Sequence, residues 1–196
     1  MGWRGLTETR EHRLLKLLGV KYLHKVGCRL VMTEVWVFRS WNKIDNLTQE
    51  MDNKCVIDVA GLYDQPVFRD KRVYANGYVE REKVGVRRVS KGIEVKVSRQ
   101  DFRNGFVCTG LNYHYVLAPQ NLVELREVPS YIGVLEYDPM LHPLDCYIRI
   151  KRRPKYQETT DTQKSVLENR IIERQHGAYM DIVRDQINLL LRGGVG

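Results

Sequence analysis

Cysteines, histidines and long apolar runs are all scarce in this chain, and each scarcity excludes a class of function. The four cysteines among 196 residues, Cys28, Cys55, Cys108 and Cys146, include no CxxC pair. Neither a zinc knuckle nor a thioredoxin-type redox motif is therefore written here, and reduced, partly buried thiols are expected. The five histidines, His12, His24, His114, His142 and His176, show no metal-ligand spacing. No apolar run approaches the roughly 18 residues that a membrane helix needs. Charges break Met1–Arg13 where a secretory signal would be continuously hydrophobic, so a soluble, cytoplasmic protein is expected and the sequon at Asn46 carries no meaning. GxSxG, Walker-type and GxGxxG motifs are missing, which argues against α/β-hydrolase, NTPase and dinucleotide-binding chemistry.

What remains is an ordinary globular composition, 43% hydrophobic and 29% charged, long enough for about one domain with its own core. The net charge of +8 suits a polyanionic partner. The basic residues cluster. Asp64–Lys91 holds eight Lys and Arg against four acids, Arg149–Lys155 (RIKRRPK) holds five and no acid, and Arg99 and Arg103 follow a candidate site. Such groups give phosphate affinity without sequence specificity, although any one of them also reads as solvated surface charge. Trp36, Trp41 and Tyr74 are candidates for base stacking or for packing.

Periodicity gives the elements. Leucines at helical spacing between Thr7, a candidate N-cap, and Leu23 predict a helix. Val- and aromatic-rich strands are expected at Cys28–Phe38, Lys54–Tyr63, Gly92–Ser98 and Asn112–Ala118, with two more at Tyr131–Tyr137 and Tyr147–Lys151. A loop or short helix is expected over Ser40–Asn53. Asp64–Lys91 reads as an inserted hairpin turning at Asn76-Gly77, and Arg99–Gly110 as a helix that Gly105 weakens. Glu158–Leu191 reads as a long helix with an imperfect apolar stripe. The order helix, three strands, helix, strand implies a mixed sheet flanked by helices.

One constellation carries chemistry. Residues two apart on a strand share a face, so Glu94 and Lys96 point one way while Ile93, Val95 and Val97 point into a core. Asp58 is an acid between Ile57 and Val59 in the preceding core strand. Two carboxylates in the middle of a sheet are costly without partners, and a hard cation such as Mg²⁺ is one such partner. Lys96 beside it could assist a water or steady phosphate charge. The alternative is a strand with alternating charges on a solvated face.

Val56-Ile57-Asp58 followed by Gly92-Ile93-Glu94-Val95-Lys96-Val97-Ser98-Arg99-Gln100-Asp101-Phe102 resembles the PD-(D/E)XK nuclease superfamily. Its E-V-K-x-S-x-x-D-F run is similar to MmcB-like DNA-repair proteins and their phage-encoded relatives, as are Asn112–Pro119 and Val128–Glu136. The likeness covers about Glu34 to Pro154. It implies a restriction-endonuclease-like α/β core over residues 1–156, with an insertion near 64–91 and a C-terminal helical extension over 157–196. It also implies Asp58 and Glu94 as ligands of Mg²⁺ or Mn²⁺ and Lys96 as the catalytic lysine. Ile57 stands where the family has proline, and the long gap from Asp58 to Glu94 is filled by the insertion. A further acid is Glu34, with Glu11 second; a paired or capping role is the alternative for each. Ser98 and Gln100 are candidates to hold water or phosphate, and Ser98 is equally a helix cap. Arg99, Arg103, Lys151, Arg152 and Arg153 are candidate DNA contacts.

The sequence thus points to a metal-dependent DNA nuclease in repair, recombination or phage DNA processing, acting in the cytoplasm (the host's if phage-encoded). A non-catalytic DNA-binding or scaffolding protein of the same fold is the rival. The C-terminal helix, whose apolar stripe must be covered, is a candidate homodimer contact.

Overall fold

The computed structural model describes residues 8–38, 54–106 and 110–193. The expectations for Thr7, for Ser40–Asn53 with Trp41 and Asn46, and for Cys108 lie outside the described residues. Six strands form one mixed sheet in the order of the sequence: β1 (Leu30–Phe38), β2 (Lys54–Val73), β3 (Val79–Val95), β4 (Tyr113–Pro119), β5 (Gly133–Tyr137) and β6 (Ile148–Arg152). The β1–β2, β2–β3 and β5–β6 pairs are antiparallel, and β4 runs parallel to both β3 and β5. The expected α/β mixed sheet flanked by helices is what the chain forms.

Helix α1 (Arg10–Lys25) starts at Thr9, whose hydroxyl accepts the His12 N–H (3.2 Å). It lays Leu15, Leu18, Tyr22 and Leu23 on Val59, Ile93, Val95 and Leu117. Gly19 sits at the closest approach, where a Cβ would meet Val59 Cγ2 at 3.2 Å. The inward face is therefore centred on Gly19 and includes His12, Leu15 and Lys16. Glu11, the second candidate acid, is exposed and lies off this face, as does Leu14 at 41% exposed. The leucine-rich run allows several helical faces, and the small residue selects one.

On the opposite face, α3 (Asp161–Gly193) buries Leu167 and Ile171 against Val35, Val37, Cys55 and Ile57. Its first turns are thus part of the core, not an extension laid outside it. Farther along, Ile172, Tyr179, Met180, Ile182 and Ile187 are exposed. The rest of that face is covered by Phe102 of α2 (Arg99–Arg103) with Val123, Val128 and Ile132. Helix α2 is shorter than expected because Gly105, at φ 87°, takes the left-handed position just after its C-cap.

The hairpin signal at Asn76-Gly77 is realised, with Gly77 at φ 81° and its N–H on the Tyr74 carbonyl. The hairpin is not a separate insertion. It is β2 and β3 continued, paired from Val59↔Ile93 out to Val73↔Val79. β1 stops pairing at Leu62, and beyond it no described strand pairs with that edge of β2, where Pro66 sits. Buried Asn112 ties the layers together. Its Oδ1 accepts from Ser90 N–H (2.9 Å), and its Nδ2 donates to the Gln157 carbonyl and Thr159 Oγ1 (both 2.9 Å).

Candidate active site

The β2–β3 ladder ends at Val59↔Ile93, and just past it the strands part. Asp58 fills the fork: its Oδ2 accepts the Val95 N–H at 2.8 Å, a backbone donor that a straight ladder would have paired with backbone. Asp58 Oδ1 turns to α1, 3.3 Å from Lys16 Nζ and 3.5 Å from His12 Nε2, the latter without an aligned hydrogen bond. Burial pushes the Asp58 carboxyl up, but His12, the Val95 N–H and Lys16 outweigh it and hold the group below the usual carboxylate range. In return, Asp58 raises the His12 imidazole, against a smaller opposing effect of burial. Burial lowers Lys16, and Glu8 (2.8 Å), Asp58 and Glu34 (3.1 Å) more than reverse this, so it stays firmly charged.

Glu94 lies across the fork with its side chain 12% exposed. Lys96 Nζ, also buried, is 3.4 Å from Glu94 Oε1 and 3.5 Å from Asp101 Oδ1. Glu94 Oε2 is buried without a hydrogen-bond partner. Burial, then the Asp58 charge, push the Glu94 carboxyl up to about 7, and Lys96 only partly offsets them. Ile93 and Val95 face the α1 core, as the period-two reading expects.

Asp101 and Ser98 fix the segment after Lys96. Ser98 Oγ accepts the Asp101 N–H (3.0 Å), while Asp101 Oδ2 accepts the Val97 N–H (3.1 Å). Ser98 is therefore the N-cap of α2, and Asp101 is a second anchor for Lys96. Gln100 is exposed and donates to Asn104 (3.3 Å), so its contact runs along the helix and not to the acids.

Glu34 falls opposite Asp58 in the β1–β2 register, between Thr33↔Val59 and Val35↔Ile57, but at φ 56° it makes no ladder pair. The strand's alternation inverts there: Val31 faces the α1 core, whereas Val35 and Val37 face α3. The Glu34 carboxylate bridges Lys16 and Arg174 (3.0 Å). The structure thus joins Asp58 and Glu34 through Lys16, and Glu94 and Lys96 directly. Sequence reasoning missed His12 and Lys16. The signal was their i, i+4 spacing on the helix face that also carries Leu15 and Gly19.

The basic candidates divide. Arg99 forks onto Glu127 (2.7 and 2.5 Å) and the Leu122 carbonyl, and drives the exposed Glu127 carboxyl down to about 2. Arg152 donates to the carbonyls of Ile132, Leu125, Val128 and Pro129. Lys151 pairs with buried Glu136 (2.8 Å), as Arg149 does with buried Asp138 (2.7 Å). Arg103 and Arg153 are exposed and make no ion pair with a described residue. Trp36 lies under the Arg170 guanidinium, 3.5 Å from its ring centre. His114 is a packed residue, its imidazole pushed down to about 4 by burial. Cys28, Cys55 and Cys146 are buried thiols, none of them in a disulfide among the described residues.

The oxygen atoms present suit a hard cation: two largely buried carboxylates, one with an orphan oxygen. Among the described residues, no cluster of three or more His, Cys, Asp or Glu side chains gathers as metal ligands. Asp58 and Glu94 are the two carboxylates at the fork, and Glu34 is held apart from them by Lys16. No helix of the described residues is long and apolar enough to cross a membrane.

No family model matches the chain, and no curated protein matches it. A solved structure, described as SPO1766 protein of unknown function from Silicibacter pomeroyi, is similar to it. The identity is 17% over 93% of this chain and 92% of that one, with a TM-score of 0.49, a likeness that bears on neither function nor site.

Proposed function

We propose that the chain is a metal-dependent deoxyribonuclease of the PD-(D/E)XK kind, with Asp58 and Glu94 as ligands of Mg²⁺ or Mn²⁺ and Lys96 as the catalytic lysine. The observation that carries this reading is the buried Glu94 Oε2 without a partner, facing the same fork as Asp58 and beside a buried lysine. The order α1, three antiparallel strands, α2 and a parallel β4 supports it as well. A cation bound there would acidify a water and offset charge on the scissile phosphate. Asp58 is kept ionised by Lys16, His12 and the Val95 N–H and is ready to ligate. Lys96, anchored by Glu94 and Asp101, presents its ammonium where phosphate charge grows during in-line attack. Arg103 and Arg153, exposed and without an ion pair to a described residue, would contact the DNA backbone.

One observation favours the non-catalytic rival. Asp58 already has the Lys16 ammonium and the His12 imidazole of α1 beside it, so its charge is partly offset without any metal. Labelled single-stranded, duplex and branched DNA, incubated with the full chain with and without Mg²⁺ or Mn²⁺, separates the two. Cleavage that requires the divalent ion is expected; binding without cleavage under every condition supports the scaffold.

A further inference from the structure

Away from the fork, at the C-terminal end of α1, a cavity of about 400 Å³ opens on the same face of the sheet. That size is ordinary for a small-molecule site. Lys91 in its lining lies four residues before Val95 on β3, roughly 13 Å along the strand, so the cavity is separate from Asp58 and Glu94.

Its chemistry is unusual for packing alone. Tyr22, Tyr63, Tyr113 and Tyr115 line it together with Lys91 and Arg153, and no carboxylate does. Lys91 Nζ sits 4.6 Å from the centre of the Tyr63 ring and donates to the Val26 carbonyl (3.1 Å), leaving its other N–H donors without an anion. Arg153 makes no ion pair with a described residue and is exposed at the rim. The acids that neutralise Arg149 and Lys151 lie on the neighbouring strand β5 and its end, so the basic run leaves Arg153 to the cavity. Burial lowers the half-buried Lys91 ammonium, which marks a cation that gains from a counter-charge.

An aromatic lining in which Tyr63 and Tyr113 keep exposed surface, with two cations and no carboxylate, suits a ligand that is planar at one end and anionic at the other. We infer that this cavity binds a nucleotide unit, its base against the tyrosines and its phosphate on Lys91 and Arg153. The unit is either a free mononucleotide or one nucleotide of a DNA strand. The inference does not rest on the metal-site reading, because binding here needs neither the cation nor cleavage.

Calorimetric titration of the full chain in EDTA tests it, using dAMP, deoxyadenosine, inorganic phosphate and a ten-nucleotide single strand as probes. dAMP should bind at least roughly tenfold more tightly than deoxyadenosine or phosphate alone. Arg153→Gln, which alters an exposed side chain, and Lys91→Gln should each weaken it by a similar factor. If the strand binds and dAMP does not, and the strand is lost in the same variants, the unit belongs to a strand and the inference stands. Phosphate binding as tightly as dAMP would overturn it, because the base would play no part. So would the absence of binding by every probe, or binding that both variants leave unchanged. A chain that cuts no DNA yet binds dAMP through Arg153 keeps this inference while losing the nuclease reading.

Discussion

Glu94→Gln should stabilise the metal-free protein by an amount that grows with pH. The Glu94 carboxyl is raised from 4.5 to about 7 by burial and by Asp58. Between those values the folded protein holds a proton that the unfolded chain has released, so this group's stabilisation is complete below pH 4.5 and is lost as pH rises through 7. At about 1.36 kcal/mol for each pH unit between those two values, the loss is about 3 kcal/mol over the full window. Glutamine carries no proton to lose and keeps the shape of the side chain, so the variant escapes this loss. Urea unfolding of both proteins at intervals from pH 4 to 8 reads the effect. With a slope of roughly 2 kcal/mol per molar urea, the gap between midpoints should widen by on the order of 1–2 M toward pH 8. Mg²⁺ should narrow it, since a bound cation keeps the carboxylate ionised without that cost. A gap that stays constant across the range would refute the reasoning.

Other perturbations test the frame around the site. Asn112→Ala leaves the Ser90 N–H and the Gln157 carbonyl without their side-chain partner and should cost about 2–4 kcal/mol in denaturant unfolding, well above a surface substitution. In Gly92→Ala the new Cβ would stand 2.1 Å from Leu111 Cδ1, so a loss of about 1–3 kcal/mol is expected, with partial recovery in a Gly92→Ala, Leu111→Val double variant. Additive losses there would show that the two side chains do not collide. A chain ending at Tyr179 should keep its melting temperature within a few degrees, while one ending at Tyr156 removes buried Leu167 and Ile171, each worth roughly 1.5–3 kcal/mol, and should lose cooperative unfolding. A folded chain ending at Tyr156 would contradict the placement of α3 in the core.

The residues of the fork were partly legible because strand geometry is local. Ile93, Glu94, Val95 and Lys96 alternate in the sequence as they do across the sheet, and an acid between Ile57 and Val59 stands out in any core strand. What supports them was not legible, because it depends on long-range packing. Lys16 and His12 belong to the site only because Gly19 brings one particular face of α1 onto Val59 and Ile93. The positive φ of Glu34, which turns its side chain toward Lys16 and Arg174, leaves no mark in the sequence. Arg149 and Lys151 read as free charge until β5 brings buried Asp138 and Glu136 beside them. The arm read as an insertion, and most of its residues are exposed because a two-stranded ribbon open to solvent has no core face.

The central claim is that Asp58 and Glu94 together hold a divalent cation. Mn²⁺ binding to the full chain, followed by the electron paramagnetic resonance signal of the free ion, tests it most directly. One site is predicted, weakened in Glu94→Gln by more than the roughly 10–100-fold that loss of an outer-shell partner costs, and weakened as pH falls through the range where Glu94 takes up its proton, about 7. A wild-type protein that binds no Mn²⁺, or one whose affinity is the same in Glu94→Gln, would contradict it.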